Sequence, residues 1–506
     1  MIHIRQVLRN ATSARFWSLR VMLINKRFHF HAGESNRSLK IIESKERGIL
    51  ASFEKFSFKN IEEIRNKTSE LGLNITFSDD ISALSNPVRI NRCKTPNSIA
   101  VLPMEGCDSE RDGSPSELVK RRYRRFASGG AGLIWYEACA VVHEGRANPL
   151  QMFMTKDNVS EFEKLLNEAN AAAENSCGSG HKPVNILQLT HSGRYSRPND
   201  KPAPIVPQHD PMLDPRVFLD SDAPVVTNEY LDDLIEKYVQ SAVLAKTAGF
   251  DGVDIKSCHR YLLSEILASH TREGKYGGSF ENRTRFLLSV IREVRKAVGE
   301  DFILACRFNV FDAHPYPYGW GVSRHDCWEP DITEPLKLTE LLVKSGVNLL
   351  SNSSGNPYYR FPEVTRPFDL PTIGGETPHE HPLESIARLF DFTRQIQKAA
   401  GDVPVIGNGY TWLHQFLPYA GAANIENHAC AMMGIGREAF AYPDAPKDIL
   451  TKGAMTPQKC CIVCSKCTQI MRDHGRTGCV IKDSDVYAPL YNETRKSAGA
   501  AGRGDK

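Results

Sequence analysis

Eight short apolar runs alternate with amphipathic stretches along residues 86–443, and few folds accommodate that order. The runs are 98–103, 132–142, 184–189, 252–255, 302–308, 348–351, 403–406 and 428–433. Between them lie helical patterns at 117–127, 159–173, 230–248, 280–298, 336–344, 383–399 and 412–420. Short runs rich in β-branched residues read as strands buried on both faces, which is the mark of a parallel sheet. Eight strand–helix repeats over roughly 350 residues predict an α/β chain closed into a (β/α)8 barrel. The competing fold is an open doubly wound sheet. That fold places a glycine-rich fingerprint after its first strand, where this chain has Pro103-Met104-Glu105-Gly106.

A closed barrel puts its chemistry at the carboxyl ends of the strands. Strand one ends in Pro103, Met104 and Glu105, and strand three in Gln188, followed by His191-Ser-Gly-Arg194-Tyr195. Strand four runs into Lys256, Cys258, His259 and Tyr261, and strand five carries Arg307. Strand seven ends in Gly407-Asn408-Gly409 and strand eight in Gly434-Ile435-Gly436-Arg437. Glycines after the last two strands let backbone N–H groups approach a phosphate, and Arg437 adds charge. Arg307, on an apolar strand, needs an anion to offset its burial. Lys256, His259 and Tyr261 together can bind a carbonyl and donate a proton; read alone, His259 and Tyr261 are equally well wall residues. The long loop 196–226, rich in proline and aspartate, has no pattern that folds it.

A second motif follows the barrel. Cys461, Cys464, Cys467 and Cys479 form a run whose spacing suits an iron–sulfur cluster, with a structural zinc clip as the alternative. Cys460 adds a spare thiol. The other cysteines of the thirteen are scattered singly, which favours a reducing compartment.

Composition excludes more than it selects. With 506 residues, 41% of them hydrophobic, and a net charge of +3, the chain is ordinary globular protein, and no basic stripe calls for nucleic acid. It lacks an apolar run of about eighteen residues, so no membrane helix is expected. Residues 1–33 contain no acidic residue but six arginines and lysines, as an organelle-targeting peptide would. Disorder is expected there, then a helical lead-in at 34–85, the barrel at 86–443, and the cysteine segment and tail at 444–506. The location expected is cytoplasmic, or an organelle if the basic segment is a transit peptide. Oligomerisation is left open.

The run Gly249-Phe-Asp-Gly-Val-Asp-Ile-Lys-Ser-Cys-His-Arg-Tyr-Leu-Leu263, followed by Tyr276-Gly-Gly-Ser-Phe-Glu-Asn-Arg-Thr-Arg-Phe286, resembles the old yellow enzyme family of FMN-dependent oxidoreductases. Gln188, His191-Ser-Gly-Arg194 and Gly434-Ile-Gly-Arg437 fit the same pattern. The cysteine run is similar to that of the branch containing 2,4-dienoyl-CoA reductase, 2-enoate reductase and trimethylamine dehydrogenase. The resemblance covers about residues 85–480. It implies an FMN at the barrel mouth, against Pro103 and Met104, with Gln188 on its pyrimidine ring and Arg307 at its N1–C2 edge. Gly407, Gly409, Gly436 and Arg437 would hold the phosphate. Lys256 and His259 would anchor the substrate, and Tyr195 or Tyr261 would donate the proton. The four cysteines would ligate a [4Fe-4S] cluster.

The chain departs from the family in carrying Lys256 for the usual first histidine, Arg260 for the usual glycine, and Ser351–Ser354 where the dienoyl-CoA branch has a histidine. It also lacks, after Lys506, the FAD- and NAD(P)H-binding domains of the longer members. The implied activity is reduction of an activated C=C bond in a small-molecule substrate. Electrons would come from NAD(P)H directly, or from a flavoprotein or ferredoxin. Two other readings are an amine dehydrogenase, with Tyr358, Tyr359 and Phe361 forming an aromatic bowl, and a non-redox, zinc-stabilised barrel binding a phosphorylated ligand. An anaerobic absorption spectrum separates the two flavin readings from the zinc barrel. The flavin readings expect flavin bands with a broad shoulder and about four irons per chain. The zinc barrel expects a colourless protein.

Overall fold

The computed structural model describes residues 53–504 apart from Arg360. The basic segment 1–33 and the start of the lead-in lie outside the described residues. The eight strands are β1 (Ile99–Val101), β2 (Leu133–Ala140), β3 (Val184–Thr190), β4 (Gly252–Ile255), β5 (Ile303–Phe311), β6 (Leu349–Ser354), β7 (Val405–Gly407) and β8 (Met432–Ile435). They form a closed barrel in chain order, every pair parallel. Closure is made by β8 on β1, with Met433 opposite Ile99 and Ile435 opposite Val101. The open-sheet alternative is thereby excluded.

Seven helices follow the strands: α1 (Glu117–Ser128), α2 (Val159–Cys177), α3 (Asn228–Thr247), α4 (Phe280–Val298), α5 (Thr333–Lys344), α6 (Pro382–Ala400) and α7 (Leu417–Glu426). Local sequence starts them. The hydroxyls of Ser116, Thr227 and Ser279 accept hydrogen bonds from Val119, Tyr230 and Asn282 N–H and so cap α1, α3 and α4. On α4 the buried residues Phe286, Leu287, Val290, Ile291, Val294 and Val298 recur every three or four positions and form the face laid on the barrel.

Two apolar layers result. The inner one fills the barrel with Ala100, Leu133, Trp135, Ile186, Ile303, Leu349, Ile406 and Met432. The hairpin Arg89–Ile90/Cys93–Lys94 adds Ile90 to this layer beside Leu133, Ile303 and Leu349, each the first residue of its strand. The hairpin thus plugs the barrel end opposite the strand carboxyl termini. The outer, larger layer lies between strands and helices.

The differences from the sequence reading are local. β2 and β5 run past bulges near Glu137 and Val310, which periodicity does not register. The expected helix 412–420 is a 3-10 turn over Tyr410–Phe416, broken at His414 in the left-handed region (φ 50°), before α7 begins with Pro418 in its first turn. After β8 come α8 (Arg437–Ala441), α9 (Ala445–Lys452), α10 (Lys466–Arg472) and α11 (Ser484–Gly504). This tail returns to the barrel. Asp483 pairs with Arg121 at 2.8 Å and Arg125 at 2.5 Å on α1, and Thr477 N–H donates to the Gly106 carbonyl at 2.7 Å. Among the described residues, no helix is long and apolar enough to cross a membrane.

Gly252 tests the barrel independently of its mouth. A Cβ there would stand 2.4 Å from the Ile303 carbonyl oxygen and 2.9 Å from Ile186 Cδ1. Gly252→Val should cost about 1–3 kcal/mol through overpacking, read as a lower urea midpoint.

Candidate functional site

The strand carboxyl ends open onto a cavity enclosing about 1050 Å³. Asp254, buried on β4, organises its floor. One carboxylate oxygen accepts from Gln188 Nε2 at 2.7 Å and Trp135 Nε1 at 3.1 Å, and the other from the backbone N–H of Arg307 at 2.8 Å. Burial pushes the Asp254 carboxyl up to about 6. With its nitrogen held by Asp254, Gln188 keeps its carbonyl oxygen for the cavity it lines.

One wall is cationic. Arg307, Arg366 and Arg437 all border the cavity, and none forms an ion pair among the described residues. Arg307 Nε, Arg366 Nε and Arg437 Nη1 are buried with no hydrogen-bond partner. Burial, then the neighbouring Arg437 and Arg472, bring the Arg366 guanidinium down to about 9. Burying unpaired cations together is costly, so this wall is built for an anion. Gly409 and Gly436 border it. Gly409 adopts φ +95°, and a Cβ on Gly436 would lie 3.3 Å from Met104 Sδ. Pro103, Met104, Gln188, Arg307, Gly409, Gly436 and Arg437 thus share one cavity. Gly407 does not reach it: its Cα faces Tyr410 and Cys430.

Lys256, His259 and Tyr261 line the same cavity. The chain turns sharply to place them, with His259 at φ 63° and Arg260 at φ 61°. Left-handed residues other than glycine cost about 1–3 kcal/mol each unless the surroundings over-determine them. Here they do. The buried Arg260 guanidinium donates to Asp312 Oδ2 at 2.9 Å and to the Tyr318 carbonyl at 2.8 Å, and His259 N–H donates to Asn309 Oδ1 at 3.1 Å. Arg260 therefore occupies the position where the family has glycine by anchoring the turn.

Lys256 Nζ donates to Glu105 Oε1 at 2.7 Å and sits 3.9 Å from the centre of the Tyr261 ring. The Tyr261 hydroxyl lies 3.2 Å from each Glu105 oxygen and 2.7 Å from the Tyr358 hydroxyl. Burial, then Glu105, holds the Tyr261 phenol well above its usual value. His259 Nε2 meets Ser353 Oγ at 2.8 Å, and burial, then Arg307, keeps its ring neutral. Tyr195 lies beside this group, its ring 4.5 Å from that of Tyr358 and its hydroxyl accepting from Asn356 Nδ2 at 2.7 Å. It lines an adjacent cavity instead, one that shares Glu105, Tyr358 and Met471 with the first. Of the proposed bowl, only Tyr358 reaches the main cavity; Tyr359 stacks under Arg216 and Phe361 against Trp328.

Sequence reasoning missed the roles of Glu105, Asp254 and Arg366. An ionisable residue next to Pro103-Met104 at a strand end was the available signal for the first. Arg366, in an unpatterned loop, offered none.

Cys461, Cys464, Cys467 and Cys479 surround a smaller cavity of about 360 Å³, and Cys460 is outside it, donating to the Thr456 carbonyl. Among the described residues no three His, Cys, Asp or Glu side chains converge closely enough for one metal ion. Four cysteine sulfurs are a donor set that suits an iron–sulfur cluster or zinc. Cys467 and Arg437 border both this cavity and the main one.

Comparison with known proteins follows the same lines. A family model described as the NADH:flavin oxidoreductase / NADH oxidase family matches residues 83–316. An NADPH dehydrogenase of Halalkalibacterium halodurans is 31% identical over 265 residues, 51% of this chain and 69% of that protein. A cinnamate reductase of Clostridium sporogenes is 29% identical over 55% of this chain and 42% of its own length. A 2-naphthoyl-CoA reductase structure, in complex with 2-naphthoyl-CoA, superposes with a TM-score of 0.62 at 19% identity, covering 82% of this chain and 58% of the other. The chain spans about half the length of several curated relatives it matches, 52%, 39% and 57% in three of them.

Arg437 gives the test of the anion wall. Arg437→Ala removes a charge-assisted bond of about 1.5–3 kcal/mol, so FMN should bind roughly 10- to 150-fold more weakly, measured by quenching of flavin fluorescence.

Proposed function

Because this chain belongs to the NADH:flavin oxidoreductase / NADH oxidase family, also known as the old yellow enzymes, we propose that it is an FMN-dependent reductase of activated C=C bonds. The observation that carries this reading is the company of two groups in one cavity. Arginines without an ion pair, with Gln188, share it with Lys256, His259 and Tyr261, which are suited to an electron-withdrawing group and a proton.

When bound, FMN supplies the hydride. Gln188, Arg307, Gly409, Gly436, Arg437 and Arg366 would hold it. Lys256 and the neutral His259 bind the oxygen of the activating group and stabilise the negative charge that develops there. Tyr261 keeps its proton at neutral pH and donates it to the substrate carbon. Glu105 orients both Lys256 and Tyr261, and the Tyr358 hydroxyl extends the hydrogen-bonded chain from which Tyr261 is reprotonated. A cinnamate reductase among the relatives, and a lysine in place of the first histidine, favour substrates activated by a carboxylate or carbonyl.

The four cysteines would hold a [4Fe-4S] cluster in this reading, which would supply single-electron transfer from a ferredoxin or flavoprotein. Cys467 borders both cavities. Direct reduction by NAD(P)H is the alternative supply. An amine substrate is disfavoured because the cation position between Tyr261 and Glu105 is already filled by Lys256.

The assignment of the acid is tested by single turnover. With the flavin pre-reduced, Tyr261→Phe should slow reoxidation by an enone about 10²–10⁴-fold while leaving flavin reduction intact. Tyr195→Phe should stay near wild type; the reverse result makes Tyr195 the donor.

A further inference from the structure

The adjacent cavity that Tyr195 lines encloses about 880 Å³ and has no role so far. Its border with the main cavity is Glu105, Tyr358 and Met471. Its other walls come from the loops after β1, β2 and β3 and from the end of α10. They carry four arginines, of which Arg197, Arg216 and Arg472 form no ion pair among the described residues. Arg194, which also lines the cavity, shows the contrast, since its guanidinium is taken up by Glu265 and Asp214. Burial lowers the Arg197 and Arg472 guanidinium groups, in Arg197 against the opposing pull of Asp200. Arg197 Nε and Arg472 Nε are buried and unpartnered, and so is the hydroxyl of Ser196, a residue only 1% exposed that lines the same wall.

The rim is apolar. Phe218 stands 85% exposed, held in the left-handed region at φ 56°. A bulky residue in that conformation with its ring in water is costly twice over, in backbone strain and in exposed apolar area. Next to it, Arg216 lies 4.3 Å above the Tyr359 ring, so its guanidinium is fixed rather than free.

We propose that this second cavity binds the remote end of the substrate, and that this end is anionic. The substrate class is an activated alkene with an apolar body and a carboxylate or phosphate beyond it. The reacting end reaches Lys256 and His259 past Glu105 and Tyr358. The body rests on Phe218, and the anion meets Arg197, Arg216 and the Ser196 hydroxyl. The proposal rests on the C=C reading above, and it names the end of the molecule that the reading leaves open.

Binding to the oxidised holoenzyme separates the two, because no turnover occurs without reductant. Calorimetry at low salt would compare cinnamaldehyde with 4-carboxycinnamaldehyde and with the phosphate monoester of 4-hydroxycinnamaldehyde. At least one anionic probe should bind at least tenfold tighter than the neutral one, and which does so tells carboxylate from phosphate. The advantage should shrink as salt rises, and fall below threefold in the Arg197→Gln/Arg216→Gln variant. The corresponding double lysine variant should keep most of it. Equal affinity for all three probes, or an advantage that survives the glutamine variant, overturns the proposal. An advantage that behaves as expected, with none of the probes reduced once the flavin is reduced, leaves the anionic cavity standing and overturns the C=C reading.

Discussion

One buried carboxylate ties the working end of this barrel together. Asp254 joins β2 through Trp135, β3 through Gln188 and β5 through the Arg307 backbone, all from its own place on β4. Its environment favours the neutral acid, yet it faces three donors at once. A group in that position is held by geometry from every side, and it holds its donors in return. The Gln188 side chain and the β5 backbone at Arg307 are consequently held before any ligand arrives, which is the preorganisation a ligand site requires.

The arginines divide into two populations with different purposes. Arg122, Arg194 and Arg260 are buried and paired with carboxylates, in pairs with Asp108 and Glu137, with Asp214 and Glu265, and with Asp312. These shape the backbone, most visibly at the left-handed turn after β4. Arg307, Arg366 and Arg437 on one side, and Arg197, Arg216 and Arg472 on the other, have no carboxylate partner among the described residues. The same side chain is structural or receptive according to whether a counter-charge was folded in with it.

The order of the barrel was legible in the sequence because short β-branched runs and 3.6-residue stripes are local signals, and each survives into the structure with its ends displaced by a few residues. The bulges of β2 and β5 and the break at His414 were not legible, because they answer to register and to neighbouring elements. The lining of the main cavity was legible where it follows a strand end, as for Lys256, His259, Arg307 and Arg437. It was not where the loops supply it. Glu105 acquires its meaning only once Lys256 is 2.7 Å away, a contact spanning 151 positions of sequence. Arg366 and the basic wall of the second cavity come from stretches with no periodicity, whose placement depends on the whole fold.

The roof of the main cavity is contributed by Cys467, Thr468, Met471 and Thr477, which follow the barrel in the chain. During synthesis the eight strands emerge from the ribosome well before these residues do. The main cavity is therefore complete only when the segment after β8 has packed onto the barrel.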